Sequence, residues 1–449
     1  MSMNTTISEQ GMSTNDVNQL REEVGTSPKS VDSESLRQIC LEAGADDVGF
    51  VEIDRKEIAD QKEDILSHFP WTQSLIGFVC RMNREPIRST ERAIANLEFH
   101  GTGQEVDHVS RKIVAELERQ GIRAVNPAMG FPMEMPRYLG KIWTVSHKPV
   151  AEAAGLGKMG IHRNIIHPKF GNFVLLGTVL MEATVTESNR PIDWNPCLEC
   201  KLCVAACPVG AIEEDGHFNF SACFTHNYRE FMGGFQDWTH TLAGSRQAKD
   251  YKEKFSTSET ASMWQSLSFG PNYKAAYCMS VCPAGEDVID QYVSNKKKFV
   301  AEVVRPVQKK EETVYVVPGS DAEDSVPRRF PNKKIKAVPS GLGPTSVRGF
   351  LEYLPLLFQR KKSKGLDAVY HFTFYGEESA TGTVTIRNQS VETQNGLVGT
   401  PDIHITADSQ TWLRFLAKEE NVVWALIRRK VRVKGPIRLL KEFGKCFPI

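Results

Sequence analysis

Seven of the ten cysteines in this chain lie between Cys197 and Cys282. Cys197, Cys200, Cys203 and Cys207, followed by Pro208, spell C-x2-C-x2-C-x3-C-P within NPCLECKLCVAACPVGAIEE. That run belongs to the bacterial ferredoxin type of iron–sulfur protein: three thiolates wrap one cube, and the fourth turns to a second. A second cysteine group is then required, and Cys223, Cys278 and Cys282 with Pro283 supply it. The expected weave places Cys197, Cys200, Cys203 and Cys282 on one cluster, and Cys207, Cys223 and Cys278 on the other. Interlaced ligands force the clusters close together, as a one-electron relay needs. Zinc sites pair C-x2-C units across a wider gap, so three tightly spaced cysteines before a C-P do not suit zinc.

The second cluster is short of a thiolate. Two-cluster proteins of this kind usually carry another cysteine three residues before the penultimate one, and here Ala275 occupies that position. The centre is therefore [3Fe–4S], or [4Fe–4S] with a fourth ligand that is not cysteine. His226 and Tyr277 are near cluster cysteines in sequence, and nothing in the sequence selects either. A histidine ligand would raise the potential. The remaining cysteines, Cys40, Cys80 and Cys446, read as buried or idle thiols.

Several elements must position these residues. The chain has 449 residues, too many for one ordinary core, so two or three domains are expected. Lys+Arg and Asp+Glu are equal at 55 each, which gives no electrostatic case for a nucleic-acid partner or an anionic membrane. Residues 1–33 are polar, lack an apolar signal core and read as a disordered tail. No apolar run approaches the roughly 20 residues that span a bilayer. A cytoplasmic protein with reduced thiols is expected. In residues 34–190 helix-like and strand-like segments alternate, as in an α/β core. ESLRQICLEAG (34–44) and VDHVSRKIVAELERQG (106–121) read as helices stopped by glycine, and DDVGFVEI (46–53) and SLIGFVCRM (74–82) read as strands. FGNFVLLGTVLMEATV (170–185) reads as one buried strand. Residues 191–299 hold the cluster module. Residues 300–345 are charged and proline-punctuated, and read as a linker with one short strand, TVYVV.

EAAGLGKMGIHRNIIHPKFGN (152–172) contains G-x-G-x-x-G at Gly155, Gly157 and Gly160. A dinucleotide site needs a strand before these glycines and a helix after them, and neither is indicated. The stretch AGLGKMGIHRNIIHPKFGNFVLLGTVL, with the cysteine run just downstream, instead resembles the epoxyqueuosine reductase and reductive dehalogenase superfamily. The likeness covers roughly residues 35–290. It implies a nitroreductase-like α/β core, a ferredoxin-like module with two clusters, and a base-off cobalamin fed by them. By resemblance, Gly155, Gly157, Gly160, His162 and Asn164 pass the corrin; His162 or His167 taken alone reads as structural. The aspartate acid of epoxyqueuosine reductases has no counterpart in MPRYLGKIWTVSHKPVAEAAG. Reductive dehalogenases use a tyrosine backed by a basic residue, which points to Tyr138 as proton donor with Arg137, Lys141 and His147 at hand. A flavin-using relative is a further possibility for such a core.

Residues 346–449 resemble a sterol carrier protein type-2 domain. LDAVYHFTFYGEESATGTVTIRNQSVETQNG supplies strands, and TPDIHITADSQTWLRFLAKEENVVWALIRRKVRVKGPIRLLKEF a strand and helices, the first capped by Asp408 or Ser409. The family implies an apolar tunnel for lipid-like ligands. Trp412, Phe415, Leu416, Trp424 and Ile427 are the residues that could line it, or are simply core. The expectation is thus an α+β multidomain, cytoplasmic iron–sulfur reductase, cobalamin-dependent, acting on a small or hydrophobic organic substrate. It would take electrons from a donor such as ferredoxin or flavodoxin and bind no nucleic acid. The rival is a non-catalytic electron-transfer protein with a lipid-binding domain.

Overall fold

The computed structural model describes residues 29–135, 142–197 and 199–448. They form two compact units, each gathered from separate stretches of chain. The first takes the described residues up to Arg84, those from Glu98 to Cys197, and Pro283–Asp290. The second takes Glu85–Leu97, Glu199–Cys282 and the described residues from Gln291 onward. Cys197 and Cys200 therefore fall in different units, whereas the sequence suggested a single module over 191–299.

The strands of the first unit are β1 (Lys29–Val31), β2 (Asp47–Glu52), β3 (Ser74–Arg81), β4 (Ala124–Val125), β5 (Lys158–Met159), β6 (Ile165–Ile166), β7 (Val174–Met181) and β8 (Ala183–Val185). Its helices include α1 (Ser33–Ala43), α2 (Ala59–His68), most of α3 (Arg92–Arg119) and α4 (His147–Ala153). The main sheet runs β2-β3-β7-β4 with every neighbouring pair antiparallel, so the alternation of helix and strand builds no parallel βαβ unit here. β3 is apolar on both faces and buried except at Arg81. Gly49 and Gly77 are opposite each other in the β2–β3 register. A Cβ on Gly49 would lie 2.3 Å from Ala154 O, and one on Gly77 would lie 3.3 Å from Ala154 Cβ. This glycine pair lets the end of α4 settle on the sheet. The chain that follows, 155–172, is launched from that contact.

Three sequence expectations for this unit change. The tail ends before residue 33: β1 pairs in parallel with β8, Lys29 Nζ donates to Gly121 O at 2.6 Å, and Asp32 caps α1 by accepting from Ser35 N–H at 2.8 Å. The 170–185 run breaks into β7 and β8 at Glu182, whose N–H bonds Arg123 O at 2.9 Å. α3 begins at Arg92, well before residue 106. Gly101 and Gly103 weaken the helical signal of its first half, while Ala95, Asn96 and Thr102 are buried there.

The second unit contains α5 (Phe220–Asn227) and, beyond it, β9 (Thr313–Val316), α6 (Asp321–Arg329) and β10 (Lys334–Ala337). β9 and β10 pair in parallel, Thr313 with Lys334. Residues 300–345 are thus a packed βαβ element and not a linker. Val314, Val316, Val326 and Phe330 are buried. Its charges are paired: Lys333 Nζ lies 2.7 Å from Glu312 Oε1, and Lys336 Nζ 2.6 Å from Glu259 Oε1. High charge content hid a core that needs few apolar residues.

The C-terminal sheet comprises β11 (Ala368–Tyr375), β12 (Ala380–Arg387), β13 (Ser390–Asn395), β14 (Ile403–Asp408) and β15 (Val431–Lys434), in the order β13-β12-β11-β14-β15. Only the β11–β14 pair is parallel. Helices α7 (Val347–Leu357), α8 (Ser409–Leu416), α9 (Val422–Ile427) and α10 (Ile437–Cys446) complete it. Asp408 is the N-cap of α8, accepting from Thr411 N–H at 3.1 Å. Trp412 is core: its ring centroid lies 5.5 Å from Phe350, 5.9 Å from Phe372 and 5.8 Å from Phe374. Phe415 and Leu416 pack on that core's edge. Trp424 is 56% exposed and Ile427 63% exposed, so neither lines an interior. In α9 it is Ala425 and Leu426 that turn inward. The C-terminal core also includes Phe224 of α5, with Phe220, Tyr228 and Met232 packed against it. The boundary expected at residue 346 therefore separates no independent core.

Candidate iron–sulfur site

All ten cysteines are unbridged. Cys40, Cys80 and Cys446 are buried, and burial pushes each thiol up to about 12. They stay protonated and inert, as expected of core thiols. In the first unit, Cys197 Sγ accepts the backbone N–H of Ile161 at 3.4 Å, and Cys197 N–H donates to Asn195 Oδ1 at 3.0 Å. The turn between β5 and β6 thus supplies an N–H to the Cys197 sulfur.

The other six cluster cysteines belong to the second unit. Burial raises the Cys203 thiol, and so do Cys278, Cys282 and Cys200, which lie close enough to act on it electrostatically. Burial likewise raises the Tyr228 hydroxyl, with Tyr273, Cys223 and Cys278 adding to it. Cys278 thus lies near enough to act on both Cys203 and Tyr228, and Cys223 also acts on Tyr228. Cys207 Sγ accepts Ala211 N–H at 3.3 Å. Glu199 in the first C-x2-C, Lys201 in the second, and Ala276 before Cys278 all have positive φ near 50–60°. Such backbone strain in non-glycine residues persists only where the surroundings impose it. A cluster spreads its thiolates over separate irons. A buried, unbridged Cys203 thiol with Cys278, Cys282 and Cys200 near it suits a cationic iron–sulfur core.

Each non-cysteine candidate for the second centre is already engaged in a hydrogen bond. Tyr277 O–H donates to Glu312 Oε2 at 2.6 Å, and burial followed by that carboxylate holds its hydroxyl protonated. His226 is 1% exposed and its Nδ1 accepts Tyr315 N–H at 3.4 Å. Burial, above all, and then Lys274 and Lys333, hold it neutral with a pKa of about 4, against the pull of Glu312. A neutral ring whose Nδ1 accepts must carry its hydrogen on Nε2. That N–H is buried and finds no acceptor. Ala275 is buried, and its N–H donates to Asn227 Oδ1 at 2.9 Å at the end of α5.

Three of the five residues named for a corrin are glycines packed closely against the protein's own chain. A Cβ on Gly155 would lie 2.7 Å from Arg190 O, and one on Gly157 2.4 Å from Ile166 O. One on Gly160 would meet Ile166 Cδ1 at 2.8 Å. The close approach these glycines permit is to the protein's own chain. His162 is buried, with a pKa of about 4 set by burial and then Lys148, and its Nδ1 accepts Asn164 N–H at 3.2 Å. His147 and His167 are structural. His147 Nε2 donates to Ala128 O at 3.0 Å while Nδ1 lies 2.9 Å from Thr178 Oγ1, and His167 Nε2 lies 3.0 Å from Asp47 Oδ2. Arg137, Tyr138 and Lys141 lie outside the described residues.

The 4Fe-4S binding domain family matches residues 190–213, and the SCP-2 sterol transfer family matches residues 355–448. The chain is 36% identical over 93 residues to an epoxyqueuosine reductase of Prochlorococcus marinus, covering 21% of this chain and 27% of that protein. It is 30% identical over 102 residues to the Escherichia coli epoxyqueuosine reductase, covering 23% and 26%. The chain thus spans about a quarter of the length of the curated relatives it matches. A solved epoxyqueuosine reductase with a modified tRNA stem loop aligns at 20% identity and a TM-score of 0.32, covering 48% of this chain and 59% of that one. The chain joins an epoxyqueuosine reductase-like iron–sulfur region to a C-terminal sterol-carrier domain. No helix among the described residues is long and apolar enough to cross a membrane.

Proposed function

We propose that this chain, an epoxyqueuosine reductase-like iron–sulfur region fused to a sterol-carrier domain, is a reductase of a small or hydrophobic organic substrate. The observation that carries the reading is the C-x2-C-x2-C-x3-C-P run, with Cys223, Cys278 and Cys282 drawn into the neighbourhood of its thiols. Cys197, Cys200, Cys203 and Cys282 hold one [4Fe–4S] cluster. Cys207, Cys223 and Cys278 hold a second centre, a [3Fe–4S], because Ala275 brings no thiol, the Tyr277 hydroxyl is held protonated beside Glu312, and His226 Nδ1 is engaged by Tyr315 N–H. When bound, the clusters supply one-electron transfer. A small reduced protein such as ferredoxin or flavodoxin is the donor, and the cytoplasm is the compartment, consistent with ten unbridged thiols. The SCP-2 domain is proposed to bring an apolar, lipid-like ligand. Tyr138, backed by Arg137 and Lys141, is carried as the proton donor.

Cobalamin on a nitroreductase-like core is what the family resemblance implies. Because the glycines named for it face their own chain, no step is routed through it. That same observation favours the second reading, an electron carrier joined to a lipid-binding domain. The test is EPR of anaerobically reconstituted protein titrated with cob(II)alamin. A base-off cobalt signal together with two cluster signals supports the corrin-dependent reductase. Free-cobalamin signals beside intact clusters support the carrier, and iron for one cluster only refutes both.

A further inference from the structure

Arg92 opens α3 in the second unit. Its side chain is part-buried, yet Nε and Nη1 are sealed from solvent and find no hydrogen-bond acceptor in the protein. Its guanidinium carbon sits 5.4 Å from the centre of the Tyr277 ring, the residue before Cys278. Burial disfavours its charge, while Tyr277, Glu312 and Cys278 favour it. Arginine does not give up its proton in a protein, so the cation stays.

A buried guanidinium with two idle donors is costly unless an anion faces it. Glu312 is the obvious anion, but it turns its oxygens to other donors and accepts nothing from Nε or Nη1. Oε2 accepts Tyr277 O–H at 2.6 Å, and Oε1 accepts Lys333 Nζ at 2.7 Å. The anionic neighbour left is Cys278, a ligand of the second centre. A cluster on thiolates carries net negative charge on its sulfurs, and sulfur accepts N–H.

We propose that Arg92 is a positioning residue for the second iron–sulfur centre: its Nε–H and Nη1–H donate to that centre's sulfurs, and its fixed charge stabilises the centre's reduced form. The one-electron donor adds one negative charge to the centre, no proton moves to or from Arg92, and the cation's attraction grows by that added charge. Hydrogen bonds to cluster sulfurs and net local charge are two of the levers that set cluster potentials. This rests on the two-cluster reading above.

The test is an EPR-monitored redox titration of the full, anaerobically reconstituted chain, comparing the parent with Arg92→Met and Arg92→Lys. Iron and acid-labile sulfide per chain are read first. A parent that binds one cluster sinks the two-cluster reading and is thereby told apart from a failure of the Arg92 assignment. With both centres present, Arg92→Met is expected to lower the reduced-to-oxidised ratio of one centre at least tenfold at a fixed potential. For a one-electron couple that is a shift of about 59 mV to lower potential. The other centre stays put, and Arg92→Lys recovers part of the shift because it keeps the charge and loses the fork. If Arg92→Met fails to assemble, Arg92→Lys alone decides, with a shift of one centre expected. Unmoved potentials in a fully loaded variant overturn the proposal, as do equal shifts of both centres.

Discussion

Phe224 holds the cluster-bearing helix α5 to the C-terminal core, one residue after Cys223. It is 6% exposed, and its ring centroid lies 5.7 Å from Phe220 and 5.2 Å from Tyr228. The same cluster contains Val347, Phe350 and Leu351 of α7. Replacing a buried phenylalanine by alanine costs about 3–5 kcal/mol through lost burial and the cavity left behind. Against the 5–15 kcal/mol by which domains are usually stable, that is a large fraction. In a unit of this size each kcal/mol moves the melting temperature by about 2–4 °C, so Phe224→Ala should melt roughly 6–20 °C lower. α5 is only two turns long and has little stability of its own. Loosening it displaces Cys223, so the variant should lose iron from the second centre while the first stays loaded. The assay pairs a circular dichroism melt with iron and sulfide per chain after anaerobic reconstitution, with Phe224→Leu as the volume-conserving control. A Phe224→Ala protein that melts within about 2 °C of the parent with full iron would refute the shared core.

Ala275→Cys is expected to add one iron per chain and turn the second centre into a full cube, read by iron analysis and loss of the three-iron EPR signal; unchanged iron argues against that position facing the centre. Deleting residues 346–449 strips the packing from Phe224, so the shortened chain should fail to load its second centre, and a truncated protein holding both centres would contradict the structure. His226 and His162 are held neutral with pKa values of about 4, below their ordinary 6.5. The unfolded chain therefore binds protons that the fold refuses between those values. The stability is complete above pH 6.5 and falls as pH drops towards 4, by up to roughly 3 kcal/mol per ring. His226→Asn, which keeps an acceptor for Tyr315 N–H, should flatten the loss of melting temperature between pH 7.5 and about pH 5.5; an unchanged slope would mean the ring does not titrate on unfolding.

The cysteine array was legible because its information is local. Thiolate spacing over eleven residues defines a cube. The sterol-carrier strands were legible for a similar reason, since β14 alternates strictly and β11 and β12 do so apart from the buried His371 and Thr383. Residues 300–345 misled because charged residues and prolines break up the apolar positions there. Lys333 and Lys336 are paired with carboxylates that only the fold brings near. Trp424 and Ile427 misled because periodicity gives an apolar face without saying which side faces in. Arg92 carried no local signal at all: its neighbours Tyr277 and Glu312 are remote in sequence.

The same remoteness explains how Cys223 is placed. Asn219, the N-cap of α5, accepts Ala222 N–H at 2.9 Å and donates through Nδ2 to Gln359 Oε1 at 3.1 Å. That oxygen also accepts the N–H of Asp321 at 2.9 Å, at the start of α6, and Gln359 Nε2 donates to Leu357 O at 2.8 Å. One buried amide thereby joins the cluster helix, the βαβ element and the sterol-carrier domain, with both its oxygen and its nitrogen engaged. At the far end of α5, Asn227 O and Oδ1 accept Lys274 N–H at 3.1 Å and Ala275 N–H at 2.9 Å. Between those ends Tyr315 N–H reaches His226 and the C-terminal core grips Phe224. A satisfied buried polar network of this kind specifies one arrangement more sharply than apolar packing alone. Loading of the second centre therefore reports on the folding of three segments far apart in sequence, and the sterol-carrier domain is part of the scaffold that presents a cluster ligand.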